Sequence, residues 1–211
     1  FLDFMIPIVQ GWCTETAQEV TSLGVQVHGG MGYIEETGAA QYYRDARIIT
    51  IYEGTTGIQA NDLVGRKTLR DDGAAARGVA AQAEEVARAC AAHADPSLAA
   101  IGRALADAVG ALNDAIAWVV VEGGTSPATA YAGAVPYLKL CGTVTGGWQM
   151  ARAAQIARWH LDAGTGDFAF HAAKIATARF YAGTVLPQAQ AQWRAMTGGS
   201  AAALTLPPER F

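Results

Sequence analysis

Glu53 is the residue on which a chemical argument can be built. It ends the run Tyr43-Arg44-Asp45-Ala46-Arg47-Ile48-Ile49-Thr50-Ile51-Tyr52-Glu53, a carboxylate among apolar residues directly before the turn Gly54-Thr55-Thr56. Burial among apolar groups raises a carboxyl pKa, and a carboxylate poised nearer neutrality suits removal of a weakly acidic proton from carbon. On position alone a second reading stays open: Glu53 could simply complement the N-terminal dipole of the helix that begins near Thr55.

Other groups carry less. The glycines of Gln26-Val27-His28-Gly29-Gly30-Met31-Gly32-Tyr33 would let a ligand approach the main chain, but a plain helix C-cap needs glycine as well. Arg44 and Asp45 could orient a cofactor, though an internal ion pair that holds the loop is the better reading, and Glu35-Glu36 reads as a solvated turn. His93, His160 and His171 lack histidine or carboxylate partners at i, i+4, so no metal site is expected. Cys13, Cys90 and Cys141 lie far apart in apolar helical patterns and read as buried reduced thiols. Trp118, Trp148 and Trp159 fall on or beside apolar helix stripes and read as core. No Ser-His-Asp order, phosphate-binding lysine loop or catalytic carboxylate pair is present.

The elements that must position Glu53 are helical. Val9, Trp12, Cys13, Ala17, Val20 and Leu23 mark one face of a helix ending near Gly29-Gly30. A short helix over 38–44, a tight apolar connection over 48–52 and a helix from about Thr55 through Lys67 follow. Asp71-Asp72-Gly73 breaks the pattern, and the alanine-rich composition beyond it places a boundary near residue 72. Asp95-Pro96 and Ser126-Pro127 are helix starts, and Leu98, Ile101, Leu105, Val109, Leu112, Ile116 and Val119 form an unbroken stripe that partner helices must cover. Pro136 is expected to kink or split the third helix and Pro187 to bend or end the fourth. The fold class is therefore all-α, with residues 73 to about 195 a four-helix antiparallel bundle; short strands near Ile48–Ile51 stay open.

With 51% hydrophobic and 16% charged residues, the 211 residues form a core-building globular chain. A net charge of -4 with 15 scattered Lys and Arg argues against a nucleic-acid backbone as partner. Val119-Val120-Val121 is stopped by Glu122 too soon to span a bilayer, and the cysteine usage fits a reducing cytoplasm. The start Phe1-Leu2-Asp3-Phe4-Met5-Ile6-Pro7 lacks an initiator methionine and reads as a helix cut into midway, hence a fragment.

Gly24 to Tyr33, Arg44-Asp45-Ala46-Arg47 and Ile51-Tyr52-Glu53-Gly54-Thr55, at this order and spacing, resemble the C-terminal part of acyl-CoA dehydrogenases over roughly the first third of the chain. Tyr137-Leu138-Lys139-Leu140 and Gly146-Gly147-Trp148-Gln149-Met150-Ala151-Arg152 resemble the helical extension of one long subgroup, which includes broad-range bacterial and methylthiopropionyl-CoA types. The resemblance implies residues 1–72 as the end of the dehydrogenase helical domain and 73–211 as the extension. It implies Glu53 as the base that takes the α-proton of an acyl-CoA while hydride leaves for FAD, with the glutamate's own N–H helping to polarise the thioester, and Gly54 against the substrate. Gln26, Val27, His28, Gly29 and Gly30 would contact the FAD of a neighbouring subunit, and Thr55 to Gly57 would lie beside its adenine or pyrophosphate; at Gly57 several relatives carry a larger polar residue. Homo-oligomerisation, missing N-terminal dehydrogenase regions and an electron-transfer flavoprotein as acceptor are implied too. The competing class is a helical oligomerisation module without turnover.

Overall fold

The computed structural model describes residues 1–210, with Pro208 by its backbone alone. A nearly continuous helical rod leads the chain: α1 (Leu2–Ile8), a π-helical segment (Val9–Cys13) and α2 (Thr14–Val27). Pro7 removes a backbone donor inside α1, and the wide π turn follows directly. Then come α3 (Gly30–Tyr33), a 3-10 turn (Glu35–Thr37), α4 (Ala39–Ile48), α5 (Thr56–Gly65) and a 3-10 turn (Leu69–Asp71). Asp72 at φ 53° and Gly73 at φ 80° reverse the chain into α6 (Ala74–Ala91). The remainder is α7 (Pro96–Thr125), α8 (Pro127–Ala132), α9 (Ala134–Ala163), α10 (Phe168–Thr184), α11 (Gln188–Ala203) and a last 3-10 turn (Pro208–Arg210). Among the described residues there is no strand.

The stripe on α7 is covered by α6, α9, α10 and α11. Its seven large residues, Leu98 to Val119, are each at most 2% exposed, and removing such a side chain from water contributes about 2 kcal/mol. α7 is long and apolar enough to cross a membrane by length and composition, but its apolar stripe lies inside the bundle. α9 is the common wall: it packs on α6, α7, α10 and α11 and, less extensively, on α1, the π segment and α5, so Phe4, Ile8, Leu63 and Val64 share one core with the bundle.

Three local details differ from expectation. α4 extends to Ile48, because no glycine or proline interrupts it before Gly54. The third helix breaks at Gly133, which leaves Pro136 in the first turn of α9, where its missing donor costs nothing. Beyond Pro187 a further helix, α11, adds a fifth member to the expected four.

Burial corrects other readings. α2 buries no residue: Val20 and Leu23 face outward, since the π segment shifts the helical register and α2 packs only at the periphery. Trp148 is buried, whereas Trp159 is 63% exposed at the α9 terminus. Cys90 and Cys141 are buried, with burial pushing the Cys90 thiol up to about 11, but Cys13 is exposed on the rod.

Asp95 caps α7, accepting from the Ser97 and Leu98 amides at 2.7 and 3.2 Å, and Arg158 of α9 reaches its other oxygen at 3.4 Å. Burial alone would raise this carboxyl, but the two amides and the guanidinium hold it below 3.8. A depressed carboxylate contributes stability above its unfolded pKa and loses it as pH falls through the folded value. Asp95→Ala is thus expected to cost about 1 kcal/mol in urea unfolding at neutral pH, with a much smaller difference well below pH 3.8.

Candidate active site around Glu53

α4 ends at Ile48, successive turns carry residues 49–53, and Thr55 starts α5 by accepting from the Ile58 amide at 3.3 Å. Between them Glu53 adopts φ 54°, a left-handed conformation that costs a non-glycine residue about 1 kcal/mol. Its carbonyl accepts from Gln59 Nε2 at 3.1 Å and from Gln10 Nε2 at 3.4 Å. Gly54 is required by its own φ of 96° and by space, because a Cβ there would lie 2.9 Å from Gln59 Nε2. The start of α5 is tied to the rod as well, Thr56 Oγ1 donating to Glu15 Oε1.

The Glu53 side chain is exposed, which corrects the expectation of a carboxylate enclosed by its own neighbours. Ile48, Ile51, Tyr52 and Ile58 around it are themselves about half exposed, and Leu2, Met5, Ile6, Val9 and Gln10 line a shallow apolar groove on the rod. The residues that would provide the surroundings are thus present as an open surface.

The glycine loop sits elsewhere. Glu15 touches the start of α5, and eleven residues of helix, about 16 Å, separate Glu15 from Gln26. Gln26, Val27, His28, Gly29 and Gly30 are all exposed, so one copy of the chain does not bring them together with Glu53, Gly54, Thr55 and Gly57. His28 Nδ1 lies 2.8 Å from the Gly24 carbonyl, which makes Nδ1 the donor and leaves Nε2 free to accept. Gly29 has φ 63°, and a Cβ at Gly29 or Gly30 would meet nothing within 4 Å. At Gly32, by contrast, a Cβ would fall 2.2 Å from the Val25 carbonyl, so that glycine serves internal packing. Beneath the loop a groove of about 800 Å³ is lined by Val25, Tyr33, Glu35, Tyr43, Arg44 and Arg47.

Arg44 and Asp45 do not pair with each other. Arg44 approaches Glu35 at 3.8 Å and donates to Gln41 Oε1, while Asp45 accepts from Gln41 Nε2 at 2.7 Å. Adjacent helical residues diverge by about 100°, and Gln41 lies within reach of both. His160 and His171 stack with ring centroids 4.5 Å apart, and no group of three metal-ligating side chains occurs among the described residues. Sequence reasoning missed Gln10, Gln59 and Glu15. Gln59 was within reach, lying six residues after Glu53 in the first turns of α5, whereas Gln10 and Glu15 come from a distant helix with no local signal.

Two family descriptions match this chain: acyl-CoA dehydrogenase, C-terminal domain, over residues 5–68, and acetyl-CoA dehydrogenase C-terminal like, over residues 80–207. The chain is 47% identical over 207 residues to 3-methylmercaptopropionyl-CoA dehydrogenase of Ruegeria pomeroyi, covering 96% of this chain and 34% of that protein. It is 35% identical over 191 residues to a broad-specificity linear acyl-CoA dehydrogenase of Mycobacterium tuberculosis, covering 88% and 31%. It is 31% identical over 214 residues to a butyryl-CoA dehydrogenase of Syntrophomonas wolfei, covering 98% and 34%. The chain thus spans about a third of the length of these relatives, at their dehydrogenase C-terminal portion. With both halves matched in order and 47% identity to the Ruegeria pomeroyi enzyme over 96% of this chain, the chain belongs to the acyl-CoA dehydrogenase family, as its C-terminal part.

Proposed function

We propose that this chain supplies the catalytic base and part of the flavin site to an enzyme that introduces an α,β double bond into an acyl-CoA. The observation that carries this reading is the Glu53 turn: a non-glycine residue at φ 54°, bound at its carbonyl by two side-chain amides and set on an exposed apolar surface. Strain of that kind persists only where surrounding contacts over-determine it, and it clusters at functional sites. In the reaction the Glu53 carboxylate takes the α-proton, and the Glu53 N–H stabilises charge developing on the thioester oxygen. FAD, when bound, accepts the hydride from the β-carbon. Enclosure of Glu53 against water falls to the N-terminal dehydrogenase regions, which would cover Ile51, Tyr52, Ile58 and the Ile6–Val9 groove.

The residues present fit the flavin. Gly29 and Gly30 are exposed with open space where a Cβ would stand, so nothing within the chain accounts for glycine at Gly30, and a ligand from outside could rest on that backbone. Gly57 is similarly open, with only Thr55 Oγ1 nearby at 3.8 Å, and while Thr55 takes the Ile58 and Gln59 amides, those of Thr56 and Gly57 remain at the start of α5, which suits a phosphate. The separation of the loop from Glu53 along α2 supports the reading that Gln26 to Gly30 serve the cofactor of a second subunit in a homo-oligomer.

On this reading residues 1–72 are the end of the dehydrogenase helical domain and 73–211 the extension, a division that the chain reversal at Asp72-Gly73 supports. An electron-transfer flavoprotein is the proposed acceptor. The cytoplasm is the proposed location, where the unpaired buried thiols Cys90 and Cys141 would stay reduced. The test is α-proton exchange: in heavy water, without an electron acceptor, the complete flavin-loaded protein is expected to place deuterium on the α-carbon of a bound acyl-CoA. Absence of exchange, with flavin and thioester both bound, would favour a helical oligomerisation module instead.

A further inference from the structure

We propose that Gln59 and Gln10 are positioning residues that together hold the Glu53 turn, and that Gln10 ties this turn to the C-terminal bundle. The proposal rests on the reading of Glu53 as the base.

Two primary-amide donors converge on a single carbonyl oxygen, one from six residues downstream and one from 43 residues upstream. An oxygen has two lone pairs, so this pairing leaves the Glu53 carbonyl no further acceptor capacity. The peptide plane after Glu53, which carries the Gly54 N–H, is thereby held, and this restrains the backbone from which the Glu53 side chain projects. Gln59 is only 8% exposed, which limits competition from water for its amide. Gly54 lets that amide come close, since a Cβ would stand 2.9 Å from Gln59 Nε2.

Gln10 lies within the π segment, whose register depends on α9. Gly11 faces Leu138, where a Cβ would fall 2.7 Å from a Leu138 methyl, and the Trp12 indole lies against Gly142 and Gly146. A Cβ on Gly142 would stand 2.0 Å from Trp12 Cγ, so only a bare backbone admits the ring at that depth. The rotation that aims Gln10 at Glu53 is therefore set by α9, and the extension reaches the base turn through three consecutive residues of the rod.

The test uses Gln59→Met, Gln10→Met and the double variant in the complete flavin-loaded protein, because methionine keeps the length of glutamine without its donor. Losing one such amide is expected to lower kcat about fivefold and losing both about 25-fold, with KM within about twofold and flavin content unchanged. The pH profile of kcat is expected to shift in the double variant. Amide hydrogen exchange across 50–58 is expected to quicken about tenfold, with 134–163 unchanged. Unchanged exchange at 50–58, or faster exchange in 134–163 as well, would overturn the proposal. If Glu53→Gln itself keeps full turnover, the base reading fails, and exchange at 50–58 alone decides whether the amides hold the turn.

Discussion

Glu53→Gln in the complete protein is expected to lower dehydrogenation about a thousandfold while flavin absorbance and the melting temperature stay at parental values. Glutamine preserves the side-chain volume and leaves the backbone bonds from Gln59 and Gln10 in place, so only the proton acceptor is lost. Exchange of the α-proton in heavy water is expected to disappear with turnover, since both use the same step. Glu53→Gly separates catalysis from folding from the other side. Glycine accepts φ 54° without strain, and its larger unfolded-chain entropy offsets much of that relief. That variant is thus expected to be inactive without being less stable, as read by thermal unfolding. A Glu53→Gln protein with undiminished turnover would remove Glu53 from the mechanism.

Gly142→Val is expected to produce the largest loss of stability, about 3 kcal/mol or roughly 9 °C in Tm. The added Cβ alone would overlap Trp12 Cγ, Cδ1 and Cδ2 at 2.0, 2.4 and 2.5 Å, and these atoms sit at the base of the indole, which cannot swing clear without the rod moving. The damage should extend to the Glu53 turn, because Trp12 and Gln10 share the π segment. Gly110 in α7 provides the opposite case: it is exposed, a Cβ there meets nothing within 4 Å, and Gly110→Ala is expected to stabilise by about 0.8 kcal/mol through helix propensity. Equal and small effects at both positions, measured by urea unfolding, would show that α9 and the rod are not in close contact.

Much of the helical architecture was legible because its signals are local. Asp95-Pro96 and Asp167 each cap a helix start, and the three-and-four spacing from Leu98 to Val119 demands burial along one face. The outward-facing Val20 and Leu23 could not be foreseen, because apolar periodicity shows that a face is apolar but does not name its cover. Trp159 was misread for the same reason: it lies with Ile156 on the outer face of α9, while Ala157 on the other side is buried. α11 was missed because its alanine- and glutamine-rich sequence buries only Ala189, Met196 and Ser200, too few for a visible stripe.

At the site the sequence by itself put forward Glu53, Gly54, Thr55 and the Gln26 to Gly30 loop as candidate positions, from residue type, order and spacing within short segments and from the family resemblance those segments carry. The tertiary structure decided that Glu53 is exposed with a positive φ, that Gly32 serves packing, and that the loop stands about 16 Å along α2 from the Glu15 contact. It also decided that Gln10, 43 residues away, meets the Glu53 carbonyl because α9 sets the rotation of the π segment. Turns and caps follow from near neighbours in the chain, whereas the direction of a side chain across a helix contact depends on how two distant surfaces fit, and no periodicity in either segment encodes that fit.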